Sequence, residues 1–490
     1  MARTEVVTAT AWEPVIGLET HVELATATKL FCGCANQFGA EPNTNVCPVC
    51  LGLPGSLPVL NARVVDFALR IGAALRCRVP EQSIFARKNY FYPDMPKDYQ
   101  ISQYEEPVCI DGTLDVDGRA VGIERAHIEE DTGKTVHVGG GGRIHEAGYS
   151  LVDYNRAGVP LMEIVSRPDL RSAEEARAYV TELRALLEAI GVSDVKMEEG
   201  SLRIDANVSL RPTGDAAFGT RVEVKNMNSL RSLGRALEFE IERQAGLLDA
   251  GERIVQETRH WDEGADVTHG LRSKEEAFDY RYFPEPDLVP LAPDAEMRAE
   301  AAAALPELPA DRRARLSADW GIDEDMARIL VGTPGLAEYA EAAVAAGAAP
   351  VAVARWCTGE VLAYLHEVRV APGELALLPD GLAELVALVD DGTLSRKLAN
   401  DVLDECLRTG EHPSAVVKAR GLAQVSDEGE LAAVLDAIVA DHADVVAAYR
   451  AGDDKVKKKK RGFLMGAAMK ATRGQANPAL LNRLLDQRLG

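Results

Sequence analysis

A proline-rich segment divides this chain into two parts that differ in predicted secondary structure. It reads FPEPDLVPLAP and spans Phe283–Pro293. Before it lie short segments in which apolar and polar residues alternate, such as Ser201–Pro212 and Thr220–Leu230, and this alternation predicts strands. A capping-box sequence also predicts one helix among them, at Ser172–Gly191. After the proline-rich segment, Ala, Leu, Glu and Arg recur with helical periodicity, so a helical part follows a sheet-rich part.

These changes of composition predict an α+β fold class with three domains in a chain of 490 residues. A large antiparallel-sheet domain is expected at residues 1–293 and an all-α domain at residues 294–422. A second change occurs near Ser426, a residue type that often begins a helix. It starts a small all-α tail domain at residues 423–490.

Charge is distributed unevenly along the chain. The formal net charge of −23 argues against a protein that simply coats nucleic acid. Arg450–Gly490 nevertheless holds 11 Lys or Arg against 3 Asp, a net charge of +8. Such a basic tail suits contact with phosphate groups, and a solvated charged helix face is the alternative.

The sequence predicts a cytoplasmic protein without a membrane span. No run of 18 apolar residues occurs, and the first residues lack the pattern of a signal peptide. The eight cysteines are few for a disulfide framework in so long a chain, and four of them are clustered. That usage fits a reducing compartment and one metal site.

The clustered cysteines predict a structural zinc site, a zinc knot, within residues 32–50. A Cys-x-Cys pair and a Cys-x-x-Cys pair are separated by twelve residues. Four thiolates complete the tetrahedral coordination of zinc and leave no open position for catalysis. The predicted ligands are Cys32, Cys34, Cys47 and Cys50.

A His-x-Glu sequence at His21 and Glu23 raises the alternative of a zinc-dependent nucleobase deaminase, whose motif adds Pro-Cys-x-x-Cys. Val46 stands where that motif has proline, and a deaminase uses only one cysteine pair. Alternation over Ile16–Leu24 instead places Glu19, His21 and Glu23 on one strand face. Two carboxylates and an imidazole there can bind a divalent cation, with a solvated polar face as the alternative.

Further charged residues suit a site for a cation and phosphate. Glu163 interrupts the apolar run Leu161–Val165, where an unpaired carboxylate is costly. The sequence HIEEDTGK adds the adjacent carboxylates Glu129 and Glu130. The segment Arg87–Gln103 mixes cations with aromatic rings, which suits phosphate contact and base stacking, or else a tyrosine-rich surface loop. The chain has no Walker A sequence, so any ATP site lacks a P-loop.

Nearly the whole chain resembles the bacterial GatB family, the B subunits of glutamine-dependent aspartyl/glutamyl-tRNA amidotransferases. The resemblance rests on motifs that occur in the order typical of the family and extend into the C-terminal tail. They are VIGLETHVEL, RKNYFYPDMPKDYQISQ, HIEEDTGK, SLVDYNRAGVPLMEIVSRPD, VSDVKMEEGSLRIDANVSLRP, VEVKNMNSLRS, QETRHWDE, DYRYFPEPDLVPL and GFLMGAAMKATRGQANP.

The resemblance implies an enzyme subunit that amidates misacylated Glu-tRNA(Gln), Asp-tRNA(Asn) or both. In the family, the B subunit activates the side-chain carboxylate with ATP, and ammonia from glutamine hydrolysed in an A subunit then attacks it. A small C subunit completes a heterotrimer. The sheet domain of the family is a cradle that carries this chemistry, and the helical tail touches tRNA.

The resemblance also implies a magnesium site, and histidine is an unusual ligand for magnesium, so a water intervenes or manganese is tolerated. We predict His21, Glu130 and Glu163 as the most direct ligands and as the catalytic residues. Lys88 is the candidate contact for the ATP phosphates. The six predicted magnesium ligands are Glu19, His21, Glu129, Glu130, Glu163 and Asp205.

Two other interpretations stay open at this point. A non-catalytic, zinc-containing scaffold that binds tRNA would have no need of a magnesium-type carboxylate cluster. The archaeal relative of the B subunit acts only on Glu-tRNA(Gln) and carries an inserted domain, for which the proline-rich segment leaves no room. Some family members lack the four cysteines, so zinc here is expected to support folding rather than chemistry.

Overall fold

The computed structural model describes residues 12–139, 147–273, 280–422, 428–472, 476 and 478–490. The chain divides into two compact units, residues 1–310 and residues 311–490. The first combines sheets with helices and the second is built from helices, in agreement with the predicted α+β class. None of the helices in the described residues combines the length and apolar content that a membrane span requires.

An eight-stranded sheet forms the centre of the first unit. Its strand order is β12-β11-β10-β9-β1-β8-β5-β4. Neighbours run antiparallel, as predicted, except for β10 and β11, which are parallel. Two smaller sheets have the orders β13-β2-β3 and β6-β7. The strands are β1 (Trp12–Glu23), β2 (Ala86–Asn89), β3 (Tyr99–Ser102), β4 (Cys109–Val116), β5 (Arg119–Glu130), β6 (Lys134–Val138), β7 (Tyr149–Asp153), β8 (Pro160–Ser166), β9 (Leu202–Pro212), β10 (Val222–Lys225), β11 (Glu257–Asp262), β12 (Val267–Ser273) and β13 (Phe283–Pro284).

The central sheet has one apolar face and one polar face. On β1, Leu18 and Val22 are fully buried in the same apolar cluster as residues of the helices. Glu19 and His21 alternate with them and therefore point to the opposite face. The helices of this unit are α1 (Ala62–Ala74), α2 (Ala173–Ala189), α3 (Leu230–Asp249) and α4 (Ala295–Ala303). Because the helices cover the apolar face, the charged residues gather on the other one.

Local sequence signals explain where α2 and α3 begin. The hydroxyl of Ser172 accepts a hydrogen bond from the backbone N–H of Glu175 at 3.1 Å, as predicted for the start of α2. The predicted strand over Thr220–Leu230 is correct only for β10. Asn226 has a left-handed φ of +71°, which ends the strand, and Ser229 then caps α3.

The end of the first unit lies beyond the proline-rich segment. Helix α4 packs against α1, and its Ala301 is only 1% exposed within the apolar cluster of this unit. The domain bounds proposed from composition at residues 293 and 422 stay predictions. The predicted helix start at Ser426 lies outside the described residues, and the structure describes α13 from Glu428 onward.

The second unit contains two apolar clusters, one within residues 316–417 and one within residues 431–489. A π-helical turn at Cys357–Val361 connects α8 to α9. The basic sequence of the tail forms α15, whose Leu464 and Ala468 are buried. The helices are α5 (Pro309–Trp320), α6 (Glu324–Gly332), α7 (Leu336–Ala345), α8 (Pro350–Trp356), α9 (Leu362–Val368), α10 (Pro379–Asp390), α11 (Arg396–Thr409), α12 (Pro413–Arg420), α13 (Glu428–Asp441), α14 (Ala443–Ala451), α15 (Asp454–Ala471) and α16 (Pro478–Leu489).

Candidate functional site

The register of the central sheet brings distant motifs together on its polar face. His21 of β1 lies opposite Glu163 of β8, and Glu163 lies opposite His127 of β5. On the other side of β1, Glu19 lies opposite Asp205 of β9. Residues paired across neighbouring antiparallel strands share a face, so four separate sequence segments contribute to one surface.

The first cluster on this face consists of one imidazole and two carboxylates. His21 Nε2 is 3.5 Å from Glu129 Oε1 and 3.5 Å from Glu163 Oε2. His127 Nε2 approaches Glu163 Oε2 to 3.2 Å from the other side. Ligand-capable atoms of His21, Glu129 and Glu163 lie within 4.8 Å of one another, close enough to bind one cation together. We call these three residues the His21 cluster.

Charge pairing in the His21 cluster opposes the effect of burial. Burial alone would raise the pKa of Glu163, but His127 and His21 hold that pKa well below its usual range. Burial alone would lower the pKa of His21, but a hydrogen bond and the charges of Glu163 and Glu129 raise it to about 9. The Glu163 carboxylate is thus ionised at neutral pH and held between two imidazoles. A divalent cation would compete with the proton of His21.

The donor set of the His21 cluster fits a hard or intermediate cation. Two carboxylates suit magnesium, while the imidazole nitrogen suits manganese as well. Among the described residues, the buried Nδ1 atom of His127 has no hydrogen-bond partner. Its Nε2 atom instead contacts Glu163, and carboxylate–histidine contacts commonly orient the ligands around a metal.

A second carboxylate cluster lies beside β1, and a lysine side chain is already paired with it. Glu19, Asp205 and Glu223 have ligand-capable atoms within 4.8 Å of one another. Lys225 Nζ lies 2.5 Å from Asp205 Oδ2 and 3.0 Å from Glu223 Oε1. Asn207 Nδ2 donates to Glu19 Oε1 at 2.9 Å. Burial, followed by the charges of Glu163 and Glu223, raises the pKa of Glu19.

The structure does not bring Glu130 into the His21 cluster, although the sequence predicted Glu130 as a direct magnesium ligand. Its carboxylate accepts a hydrogen bond from the backbone N–H of Ile101 at 2.9 Å and pairs with the ammonium of Lys97. The reason is the strand period of two, since Glu129 and Glu130 are consecutive on β5 and point to opposite faces. The six predicted ligands are therefore divided among three places.

Lys88, the predicted phosphate contact, interacts electrostatically with Glu129 and Glu163 of the His21 cluster. It belongs to β2, and its Nζ lies 4.9 Å from the centre of the Tyr280 ring. Burial alone would lower the pKa of Lys88, but the charge of Glu129, then Tyr282 and Tyr280, raises it. Lys88 therefore keeps its positive charge within electrostatic reach of the His21 cluster.

The four predicted zinc ligands come together in the loop between β1 and α1. Their sulfur atoms lie within 4.8 Å of one another, and all four thiols are free. Cys50 Sγ is 3.9 Å from Cys47 Sγ. A tetrahedral zinc site with a Zn–S length of about 2.3 Å has an S···S edge of about 3.8 Å, so the spacing fits zinc. The fully buried Lys29 donates to the carbonyl oxygens of Asn45 and Tyr154, at 2.7 and 3.3 Å, and thus connects this loop to the sheet domain.

Three residues of these clusters were missed or given no role in the sequence analysis. His127 is two positions before Glu129 on β5 and therefore shares its face, a relation that the period of two could have revealed. Glu223 and Lys225 alternate in the same way on the short strand β10. Their proximity to Glu19 depends on the pairing of β10 with β9, which no single segment encodes.

Comparisons with known proteins show which family of proteins this chain resembles. The family model described as the GatB/GatE catalytic domain matches residues 14–299, and the GatB domain model matches residues 338–489. Proteins named as the B subunit of aspartyl/glutamyl-tRNA(Asn/Gln) amidotransferase include one from Frankia casuarinae that is 55% identical over 98% of this chain and 96% of its own length. Others are from Thermobifida fusca, 53% identical over 98% and 94%, and Moorella thermoacetica, 52% identical over 98% and 100%.

Proposed function

Because the chain belongs to the GatB family of amidotransferase B subunits, we propose that it amidates the side-chain carboxylate of misacylated Glu-tRNA(Gln), Asp-tRNA(Asn) or both. The reaction consumes ATP and ammonia. A carboxylate is a poor electrophile, so one of its oxygens first takes the γ-phosphoryl group of ATP, which gives an acyl phosphate and ADP. The nitrogen of ammonia then attacks the acyl carbon, inorganic phosphate leaves and the amide results.

The observation that carries this proposal is the His21 cluster beside Lys88 on one face of the cradle sheet. Both reaction steps gather negative charge from phosphate and carboxylate groups, so the protein must supply positive charge there. Lys88 would bind phosphoryl oxygens. His21, Glu129 and Glu163 would hold a divalent cation, whose contribution when bound is to neutralise phosphate charge. A non-catalytic scaffold would have no use for such a cluster.

The remaining predicted residues receive separate roles. Glu130 faces Lys97, and we leave it outside the cation site for that reason. Asp205 and Glu19 form the second carboxylate cluster with Glu223. Lys225 already neutralises part of the negative charge of this cluster, so the cluster has less need of a bound cation. The four cysteines would bind a structural zinc ion and stabilise the loop between β1 and α1.

The proposed partners follow from the family. An amidase A subunit would supply ammonia, a small C subunit would complete the heterotrimer, and the basic helix α15 would meet the phosphates of tRNA in the cytoplasm. The proposal includes ATP as a substrate and magnesium or manganese as the cation of the His21 cluster.

The proposal is tested by Glu163→Gln in the complex reconstituted with A and C subunits. Amide formation is assayed separately on Glu-tRNA(Gln) and Asp-tRNA(Asn), together with glutamine hydrolysis. We expect at least a roughly hundredfold loss of amide formation with glutamine hydrolysis retained, because only the transfer chemistry requires the cluster. Glu188→Gln, at an exposed position of α2, is the matched control. Normal amidation by Glu163→Gln would contradict the assignment.

A further inference from the structure

Two tyrosine rings form a stacked pair beside the His21 cluster. The Tyr104 and Tyr282 rings have centroids 4.4 Å apart and an interplanar angle of 11°. Tyr104 is nevertheless 52% exposed, so a large part of its ring is open to solvent. Tyr280 meets Tyr282 edge-on, with ring centroids 6.1 Å apart. We call Tyr104 and Tyr282 the tyrosine platform.

The tyrosine platform is held in place by the small sheet that carries Lys88. Phe283 of β13 pairs with Arg87 of β2. The guanidinium of Arg87 donates two hydrogen bonds to the carboxylate of Glu285, at 2.6 and 2.9 Å. Asn89 Nδ2 donates to the carbonyl oxygens of Tyr280 and Arg281, at 3.0 and 2.7 Å. These contacts fix both ends of the segment that contains Tyr282 before any ligand binds.

The same sheet connects the platform to the cation cluster. Ser102 of β3 lies opposite Ala86 of β2, and its hydroxyl donates to Glu129 Oε2 at 3.3 Å. Tyr104 follows Ser102 by two residues. Lys88 is two residues from Ala86, on the same side of β2 by the strand period. A ligand stacked on Tyr104 could therefore direct a phosphate or ribose toward Lys88 and the His21 cluster.

A pocket lined by apolar and aromatic residues and by two glutamates lies at the platform. Ile84, Ala86, Phe283 and Pro284 line it together with the two tyrosines, and Glu105 and Glu106 complete the lining. Flat apolar walls suit an aromatic ring. The carboxylates disfavour a polyphosphate within the pocket, but they can accept hydrogen bonds from an exocyclic amino group or ribose hydroxyls.

We propose that the tyrosine platform is a stacking site for an adenine base. This inference rests on the proposed function, because adenine reaches that reaction from two sources, ATP and the terminal adenosine of tRNA. Both sources share the ring that stacks on Tyr104 and the amino group that faces Glu105 or Glu106. The phosphate-bearing part of either ligand would then lie toward Lys88.

The test replaces the open ring with an aliphatic side chain that cannot stack. In Tyr104→Leu we expect binding of the adenine source to weaken by about tenfold, within the range found when a stacking aromatic residue is removed. Tyr104→Phe retains the ring and should retain wild-type affinity. Tyr149→Leu is the matched control, since Tyr149 is 60% exposed on β7 of a separate sheet.

Two arms identify the source of the adenine. In the first, ATP with magnesium is titrated onto the full chain, and a tenfold loss confined to this arm identifies ATP. In the second, binding to the reconstituted complex is compared between RNA minihelices that end in CCA and in CC. If the terminal adenosine is the ligand, the wild type prefers CCA and Tyr104→Leu loses that preference.

Unchanged binding by Tyr104→Leu in both arms would overturn the inference. Tyr282→Leu is measured in parallel, and both variants must retain the wild-type unfolding transition. The outcome is separable from the proposed function. A wild-type complex that forms no amide contradicts the proposed reaction, whereas these binding measurements need no turnover.

Discussion

The ion pair between Arg87 and Glu285 offers a quantitative test of what stabilises the small sheet β13-β2-β3. The side chain of Glu285 is fully buried, and that of Arg87 is 19% exposed. Besides Arg87, the Glu285 carboxylate accepts only the backbone N–H of Asp287, at 2.9 Å, among the hydrogen bonds of the described residues. Arg87→Met would therefore leave a buried carboxylate with one neutral donor.

The expected cost follows from that burial. Breaking a buried ion pair by removing one partner typically destabilises by about 3–5 kcal/mol. Because Arg87 is partly exposed and Asp287 Oδ2 is also 3.2 Å from its guanidinium, we expect a value near the lower end, about 3 kcal/mol. The double variant Arg87→Met with Glu285→Leu removes both charges, so it should be more stable than Arg87→Met alone.

Hydrogen exchange measured by mass spectrometry can resolve this effect within the full chain. A loss of about 3 kcal/mol would speed exchange of the β2, β3 and β13 amides by about a hundredfold. Peptides from α11, in the second unit, serve as the internal control. Unchanged exchange in β2, or a double variant less stable than Arg87→Met, would refute the reasoning.

Three further predictions address the zinc loop, the tail and Glu130. Cys50→Ser should abolish binding of about one zinc ion per chain, measured by metal analysis, and lower the free energy of unfolding of the first unit by roughly 3 kcal/mol or more; a variant of full stability would contradict a structural role. Deleting residues 425–490 should weaken tRNA binding and reduce its salt dependence, since 11 Lys or Arg lie in Arg450–Gly490; equal affinity and slope would speak against tail contact. Lys97→Met should destabilise by about 3 kcal/mol in urea unfolding, because it leaves the carboxylate of Glu130, which is 3% exposed, without its cation. Adding Glu130→Gln should restore part of that loss, and strict additivity would contradict the pairing.

Much of the fold could be predicted because its signals are local. The cap at Ser172, the strand at β9 and the change to helices after the proline-rich segment all depend on neighbouring residues. The end of β10 could not be predicted in the same way, because the turn at Asn226 interrupts a sequence that still alternates. The position of α4 depends on its contact with α1, more than 200 residues earlier in the chain, and composition carries no information about such a contact.

The site shows the same division between local and long-range information. The four cysteines lie within one loop, so their spacing was enough to predict that they converge. The carboxylates lie on five strands, and only the register of those strands decides which of them lie close together.

Glu129 and Glu130 make this limit explicit. Both fit the family motif HIEEDTGK, and both are almost completely buried, so neither chemistry nor burial distinguishes them. The strand period does, because it turns one toward His21 and the other toward Lys97. Adjacent acidic residues on a central strand are therefore poor candidates for one shared metal site, and the ligand two residues away, His127 in this case, is the better candidate for the same face.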